Sequence, residues 1–213
     1  MTERPDRSAL RYNPKKHDMN DILEIAAANQ QRAREVIRDT DLEAIWRSVG
    51  AEANLVGSLR TGLLMTHRDI DFHIYSSPLR VADSFTAMAR LAENPRIRRI
   101  EYGNLLDAQD QCLEWHAWYA DADERLWQID MIHMPKGSAY DGYFERVADR
   151  IAAVLTDQTR ETILRLKYET PETEKIMGIE YYQAVLRDGV RTYAEFEAWR
   201  AANPVTGVLE WMP

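Results

Sequence analysis

Two short runs decide the reading of this chain: Val56-Gly57-Ser58-Leu59-Arg60-Thr61-Gly62, and, after a brief return, Arg68-Asp69-Ile70-Asp71-Phe72-His73-Ile74. The second alternates polar and apolar residues, the period of an extended strand, whose successive side chains leave opposite faces. Asp69, Asp71 and His73 therefore share one face, while Ile70, Phe72 and Ile74 share the other and are expected to be buried. Neighbours on one face of a strand lie about 7 Å apart, so the two carboxylates sit close together. Like charges at that spacing are costly unless a cation holds them, and hard oxygen donors suit Mg²⁺ or Mn²⁺. Taken alone, the same pair also reads as the solvated face of an edge strand.

The first run sharpens the metal reading. Asn54-Leu55-Val56 is a short apolar strand that breaks at Gly57-Ser58. A glycine there lets backbone approach a ligand closely, and Ser58 with exposed amides can hydrogen-bond phosphate oxygens. Arg60 and Arg68 flank this turn as candidate phosphate partners, although arginines beside a loop are commonly surface groups. Further on, Ile129-Asp130-Met131 sets one carboxylate between apolar neighbours in a strand, where a lone buried acid is expensive. Asp130 completes a three-acid site if its strand lies beside that of Asp69 and Asp71.

Outward from these runs, helical periodicity covers residues 20 to 39 and the stretch from Asp41 to Gly50. Leu79 to Glu93 reads as a helix, and Ile97 to Tyr102, Leu113 to Tyr119 and Leu126 to Met134 as strands. Turns are expected at Gly103 to Asp110 and at Asp121 to Glu124. Beyond Pro135-Lys136-Gly137 the pattern is helical, over 141–155, 157–169, 172–187 and 192–202. Residues 1–18, with Pro5, Pro14 and mixed charges, form an expected N-terminal arm. His73, on the carboxylate face, and His133, on the strand face opposite Asp130, give no metal-ligand spacing, and His67, His73 and His133 are read as structural or as supporting the groups that line the site. Trp115, Trp118, Trp127, Trp199 and Trp211 are expected packing anchors, Tyr181 and Tyr182 core, and Lys167 and Lys175 solvated.

Composition sets outer bounds. The 213 residues are 45% hydrophobic and 29% charged, enough for a substantial core. No stretch approaches a membrane span or a secretory signal, so the expectation is a cytoplasmic protein away from membranes. The single Cys112 excludes an internal disulfide framework. With 27 Lys and Arg against 35 Asp and Glu, the net charge of -8 disfavours nucleic acid and tilts the acceptor toward a small molecule.

Together, Gly57-Ser58, Asp69-x-Asp71 and Asp130 resemble the DNA polymerase β-type nucleotidyltransferase superfamily, over about residues 53 to 133. The resemblance implies a mixed α/β (α+β) fold: a short mixed β-sheet flanked by helices at 19–137, followed by a C-terminal helical domain at 138–213. It also implies a metal-dependent transfer of a nucleoside monophosphate from a nucleoside triphosphate to a hydroxyl or phosphate. Asp69, Asp71 and Asp130 would be the catalytic and metal-binding acids, with Mg²⁺ or Mn²⁺ as cofactor, and Gly57 and Ser58 would hold phosphates. Two other readings fit fewer of these residues: a sugar-nucleotide glycosyltransferase using only the Asp-x-Asp pair, and a non-catalytic nucleotide- or partner-binding module.

Overall fold

The computed structural model describes residues 19–108, 111–171, 173–205 and 211–213, so the expected arm at 1–18 lies outside the described residues. Its centre is a five-stranded mixed sheet. Strand β1 (Glu52–Leu55) pairs antiparallel with β2 (Asp69–Ser76), which runs parallel to β5 (Leu126–Pro135). Strands β3 (Ile97–Leu105), β4 (Cys112–Ala120) and β5 form an antiparallel meander, giving the order β1-β2-β5-β4-β3. Among the described residues the one parallel step joins the two strands that carry the acids.

Alternation separates the two faces of this sheet. Ile70, Phe72 and Ile74 of β2, Trp115 and Ala117 of β4, and Trp127, Ile129 and Met131 of β5 are buried on one of them. Helices α1 (Met19–Thr40), α2 (Leu42–Arg47) and α4 (Val81–Leu91) add to that core Ala33, Val36, Trp46, Met88 and Leu91. His133 is part of this layer, as its parity predicts. It bonds Ser76 at 2.7 Å and Ser84 at 3.1 Å and meets the Trp46 ring edge at 5.0 Å.

The opposite face carries the carboxylates and is approached by a helical layer. That layer contains α5 (Tyr143–Val154), α6 (Asp157–Glu169), α7 (Gly178–Tyr182) with its π-helical continuation Gln183–Arg187, and α8 (Tyr193–Ala202). Thr156 and Thr192 cap α6 and α8 by accepting from the amides three residues on, so both helices begin where the polar starters predict. Helix α7 begins only at Gly178, later than the periodicity predicts, and β3 runs on to Leu105 where a turn is expected. In the second case pairing with β4, from Ile97↔Tyr119 to Leu105↔Cys112, supplies order that Gly103 alone does not.

The packing is not divided cleanly at residue 138. Ile22 and Ala26 of α1, with Leu63 and Met65, are buried among Ile163, Leu166, Tyr181 and Phe196 of the helical layer. Among the described residues no helix is long and apolar enough to cross a membrane. Phe72 is 1% exposed at the centre of the first core, so Phe72→Ala should cost about 3–5 kcal/mol through lost burial and a cavity, read from denaturant midpoints at unchanged m-value.

Candidate active site

The turn after β1 brings the two decisive runs into contact. Val56 N–H donates to the Asp71 carbonyl at 2.9 Å, and the chain then enters the single-turn helix α3 (Gly57–Arg60). Gly57 has φ +64°, and a Cβ there would lie 2.0 Å from Asp71 Oδ2. The position therefore excludes a side chain on both conformational and steric grounds. The amide of Ser58 donates to the Asp71 carboxylate. Gly57 and Ser58 thus form a seat for that carboxylate as well as one wall of a cleft of about 790 Å³.

Across the parallel pair, Asp69 lies opposite Gln128 and Asp71 opposite Asp130. Residues in direct register on neighbouring strands project from the same face, so Asp69, Asp71 and Asp130 all line the cleft. Burial, then the charges of Asp69 and Asp130, push the Asp71 carboxyl up to about 8, while Lys167 and the Ser58 amide oppose the shift. Asp130 is held more firmly. His116 Nδ1–H and Gln128 Nε2–H both donate to its Oδ1, at 2.5 and 2.8 Å, and the Glu114 carboxylate lies 3.4 Å from His116 Nε2. Two donors on one oxygen orient the carboxylate and leave Oδ2 for another partner.

Between α3 and β2, residues 62–65 are fastened from both sides. Asn29 donates to the Met65 carbonyl at 3.0 Å, and Gln30 to those of Gly62 and Leu64 at 3.1 and 3.3 Å. From α6, Arg160 reaches Gly62 and Lys167 reaches Leu63, each at 3.0 Å. Four consecutive carbonyls are thereby satisfied by α1 and α6. Lys167, expected to be solvated, is instead buried over the Tyr181 and Tyr182 rings, with its charge acting on Asp71. Tyr181 and Tyr182 are buried as expected and also line the cleft.

Arg60 is not brought to the cleft. Its guanidinium is bidentate on Asp149, at 2.8 and 2.9 Å, and also donates to the Leu55 carbonyl. It braces α3 against α5, leaving Arg68 as the arginine that lines the cleft. His67 and His73 line it too; burial lowers His73 to about 4, so it is neutral at pH 7 and packs against Phe144. Sequence reasoning missed His116 and Gln128. The available signal was parity, because Gln128 precedes Asp130 by two residues on one strand, but pairing His116 with Asp130 requires the meander.

Among the described residues no three His, Cys, Asp or Glu side chains are drawn into a ready-made metal cage. Asp69, Asp71 and Asp130 instead line one wall of the cleft as hard oxygen donors of the kind divalent cations take, with the central acid destabilised as an anion by its neighbours. A cation would relieve that destabilisation.

The sequence matches no protein family and no curated protein. Solved structures do match, and they share the nucleotidyltransferase fold. One is the complex of the non-canonical poly(A) polymerase GLD-2 with GLD-3, at TM-score 0.53 and 9% identity, covering 78% of this chain and 57% of that one. Another is the Cid1 poly(U) polymerase with MgGTP bound, at TM-score 0.56 and 12% identity, covering 79% and 54%. A cytoplasmic RNA terminal U-transferase matches at TM-score 0.50 and 12% identity, covering 78% and 51%. This chain thus spans about half the length of these neighbours. The mixed α+β fold inferred from the sequence is the one observed.

These neighbours overturn the expectation that nucleic acid is disfavoured and the acceptor a small molecule, because they are a poly(A) polymerase, an RNA terminal U-transferase and Cid1 with its short product ApU. The physical error lay in using net charge: a whole-chain sum of -8 says nothing of the charge or aromatic content along one cleft wall.

A folded-state carboxyl held above its unfolded value binds a proton that the unfolded chain has already released. For Asp71 the stability present near pH 4 is lost as pH rises toward about 8. Without divalent ion, Asp71→Asn should therefore raise the melting temperature at pH 7 and flatten its fall between pH 5 and 8, on the order of 1 kcal/mol or more. Thermal melts across that range check this; a lower melting temperature for the variant at pH 7 counts against it.

Proposed function

We propose that this protein is a metal-dependent nucleotidyltransferase that adds a nucleoside monophosphate to the terminal hydroxyl of a single-stranded nucleic acid. The observation that carries the reading is the register of Asp71 with Asp130 across β2 and β5, with Gly57 pressed against Asp71. A glycosyltransferase using an Asp-x-Asp pair needs neither the Asp130 register nor the Gly57 contact, so it leaves both unexplained. The acceptor class follows the RNA-extending neighbours.

Asp69, Asp71 and Asp130 would hold Mg²⁺ or Mn²⁺, which would supply charge neutralisation on the triphosphate and on the oxygens that attack and leave. The chain's own groups divide the remaining work. Gly57 and Ser58 offer close backbone approach and a hydroxyl to the triphosphate, and Lys167 and Arg68 present positive charge to the same cleft. Asp130, steadied by His116 and Gln128, positions the acceptor hydroxyl and takes its proton as the new oxygen-phosphorus bond forms. The bond from the α-phosphorus to the bridging oxygen breaks, and pyrophosphate leaves with that electron pair. Phe144, Val147 and Ile151 of α5 line the apolar part of the cleft and limit water there.

Incubating a 5′-labelled single-stranded RNA with each nucleoside triphosphate and Mg²⁺ or Mn²⁺ should give strand extension and stoichiometric pyrophosphate. Asp69→Asn with Asp71→Asn should remove it by at least about 10³-fold, because the metal-held charge is lost. Extension that persists in the double variant, or no extension by the native chain with any triphosphate, rejects the proposal.

His116→Ala should lower kcat by about 10–100-fold with little change in the KM for triphosphate, since it loosens Asp130 without touching the phosphate seat. His116→Asn keeps a donor near the Nδ1 position and should recover much of that loss. Equal kcat for native protein and His116→Ala contradicts the orienting role.

A further inference from the structure

In-line transfer fixes where the acceptor lies. The attacking hydroxyl and the departing pyrophosphate occupy opposite sides of the α-phosphorus. On the reading above, the triphosphate tail rests on Gly57 and Ser58, at the β1–β2 side of the acids. The acceptor must then arrive over Asp130 from the other side, across β5, β4 and β3.

That side of the sheet has a definite surface. Register places Asp69, Gln128, Trp118 and Arg99 in one row across the strands, and Asp71, Asp130, His116 and Glu101 in the next. All lie on the carboxylate face. Trp118 is a diagonal neighbour of Asp130, a separation of roughly 7–8 Å in an antiparallel pair. It is half-buried, whereas Trp115 and Trp127, on the opposite face, are sealed in the core. The Arg99 guanidinium lies over its ring at 4.4 Å and pairs with Glu101, and the Arg99 side chain is 60% exposed. Of the tryptophans read as packing anchors, Trp118 is thus placed for a different task.

We infer that the β5–β4–β3 part of this face is the acceptor shelf, on which Trp118 and the Arg99 guanidinium lying over its ring form one platform that stacks the terminal base of a single-stranded nucleic acid whose hydroxyl meets Asp130. The occupant follows from continuity with the carboxylates and from the chemistry of the shelf. An indole beside a planar guanidinium suits the π-face of any base. Glu101 and Glu114 on the same face make a track for many phosphates unfavourable, so stacking dominates over charge. The inference rests on the proposed nucleotidyl transfer for its direction of approach, and on the shelf for its occupant.

The test is direct binding of a short 5′-fluorescein-labelled RNA, with the DNA of the same sequence in parallel, to the full chain without triphosphate, followed by extension kinetics. Trp118→Ala should weaken binding about 5- to 150-fold, the range for loss of one stacked base, and raise the KM for the strand while leaving that for triphosphate unchanged. Trp118→Phe should retain most of the affinity. Trp118→Leu, which keeps apolar cover without a stacking ring, should behave like alanine and guards against a folding artefact, with thermal melts run on each. The salt dependence should be shallow, with a log–log slope no steeper than about -1.4 if Arg99 on the shelf and Arg68 in the cleft each neutralise one phosphate of a single strand. Equal affinity in native protein and Trp118→Leu overturns the shelf, as does failure of the native chain to bind either strand. Trp118-sensitive binding without Asp69-dependent extension would keep the shelf and sink the catalytic reading. Asp69-dependent extension that ignores Trp118 does the reverse.

Discussion

Asp71 and Asp130 face one another across a parallel pair of strands, with Asp69 two residues along, and the rest of the structure is arranged around that repulsion. Hydrophobic burial on the other face fixes the pairing. Shifting β2 by one residue would turn Ile70, Phe72 and Ile74 into the cleft and the acids into the core, a cost far above the electrostatic penalty of keeping the acids together. The core therefore enforces a cluster that the acids alone would not form. What remains is a local charge imbalance, eased by the Ser58 amide and by Lys167 at some remove.

The loop from Gly62 to Met65 transmits this arrangement to the rest of the molecule. Its carbonyls are held by side chains from α1 on one side and α6 on the other, so the phosphate-side turn and the carboxylate strand cannot shift independently of the helical layer. Arg60 supplies a second tether from α3 to α5 through Asp149. A residue that looks like a phosphate ligand in the sequence is thus consumed in holding the cleft walls at their spacing.

How much of this was legible depends on the range of the interaction. The faces of β2 and β5 were readable from alternation, because parity is a local property, and so were the Gly57 turn and the capped starts of α6 and α8. Placing Asp130 beside Asp71 required the resemblance, since parity leaves strand order open. His116, Gln128 and the burial of Lys167 were not legible, because each depends on a partner far away in sequence: Asp130 across the meander for His116, and the Leu63 carbonyl for Lys167. The end of β3 escaped for the same reason, its last residues being ordered by β4 rather than by their own composition.

Charge was the least informative global quantity. A sum of -8 predicts a field at distances beyond about 8–10 Å, where salt already screens it, whereas strand recognition is decided within a few ångströms of one face. The acids that make the chain electronegative include the three that would hold cations, and these attract a polyphosphate once metal is bound. Glu101 and Glu114 act differently, because they border the shelf and discourage a phosphate track. On the proposed function, a protein with this distribution would gain little from counterion release and would grip a strand by its bases, the role proposed for Trp118.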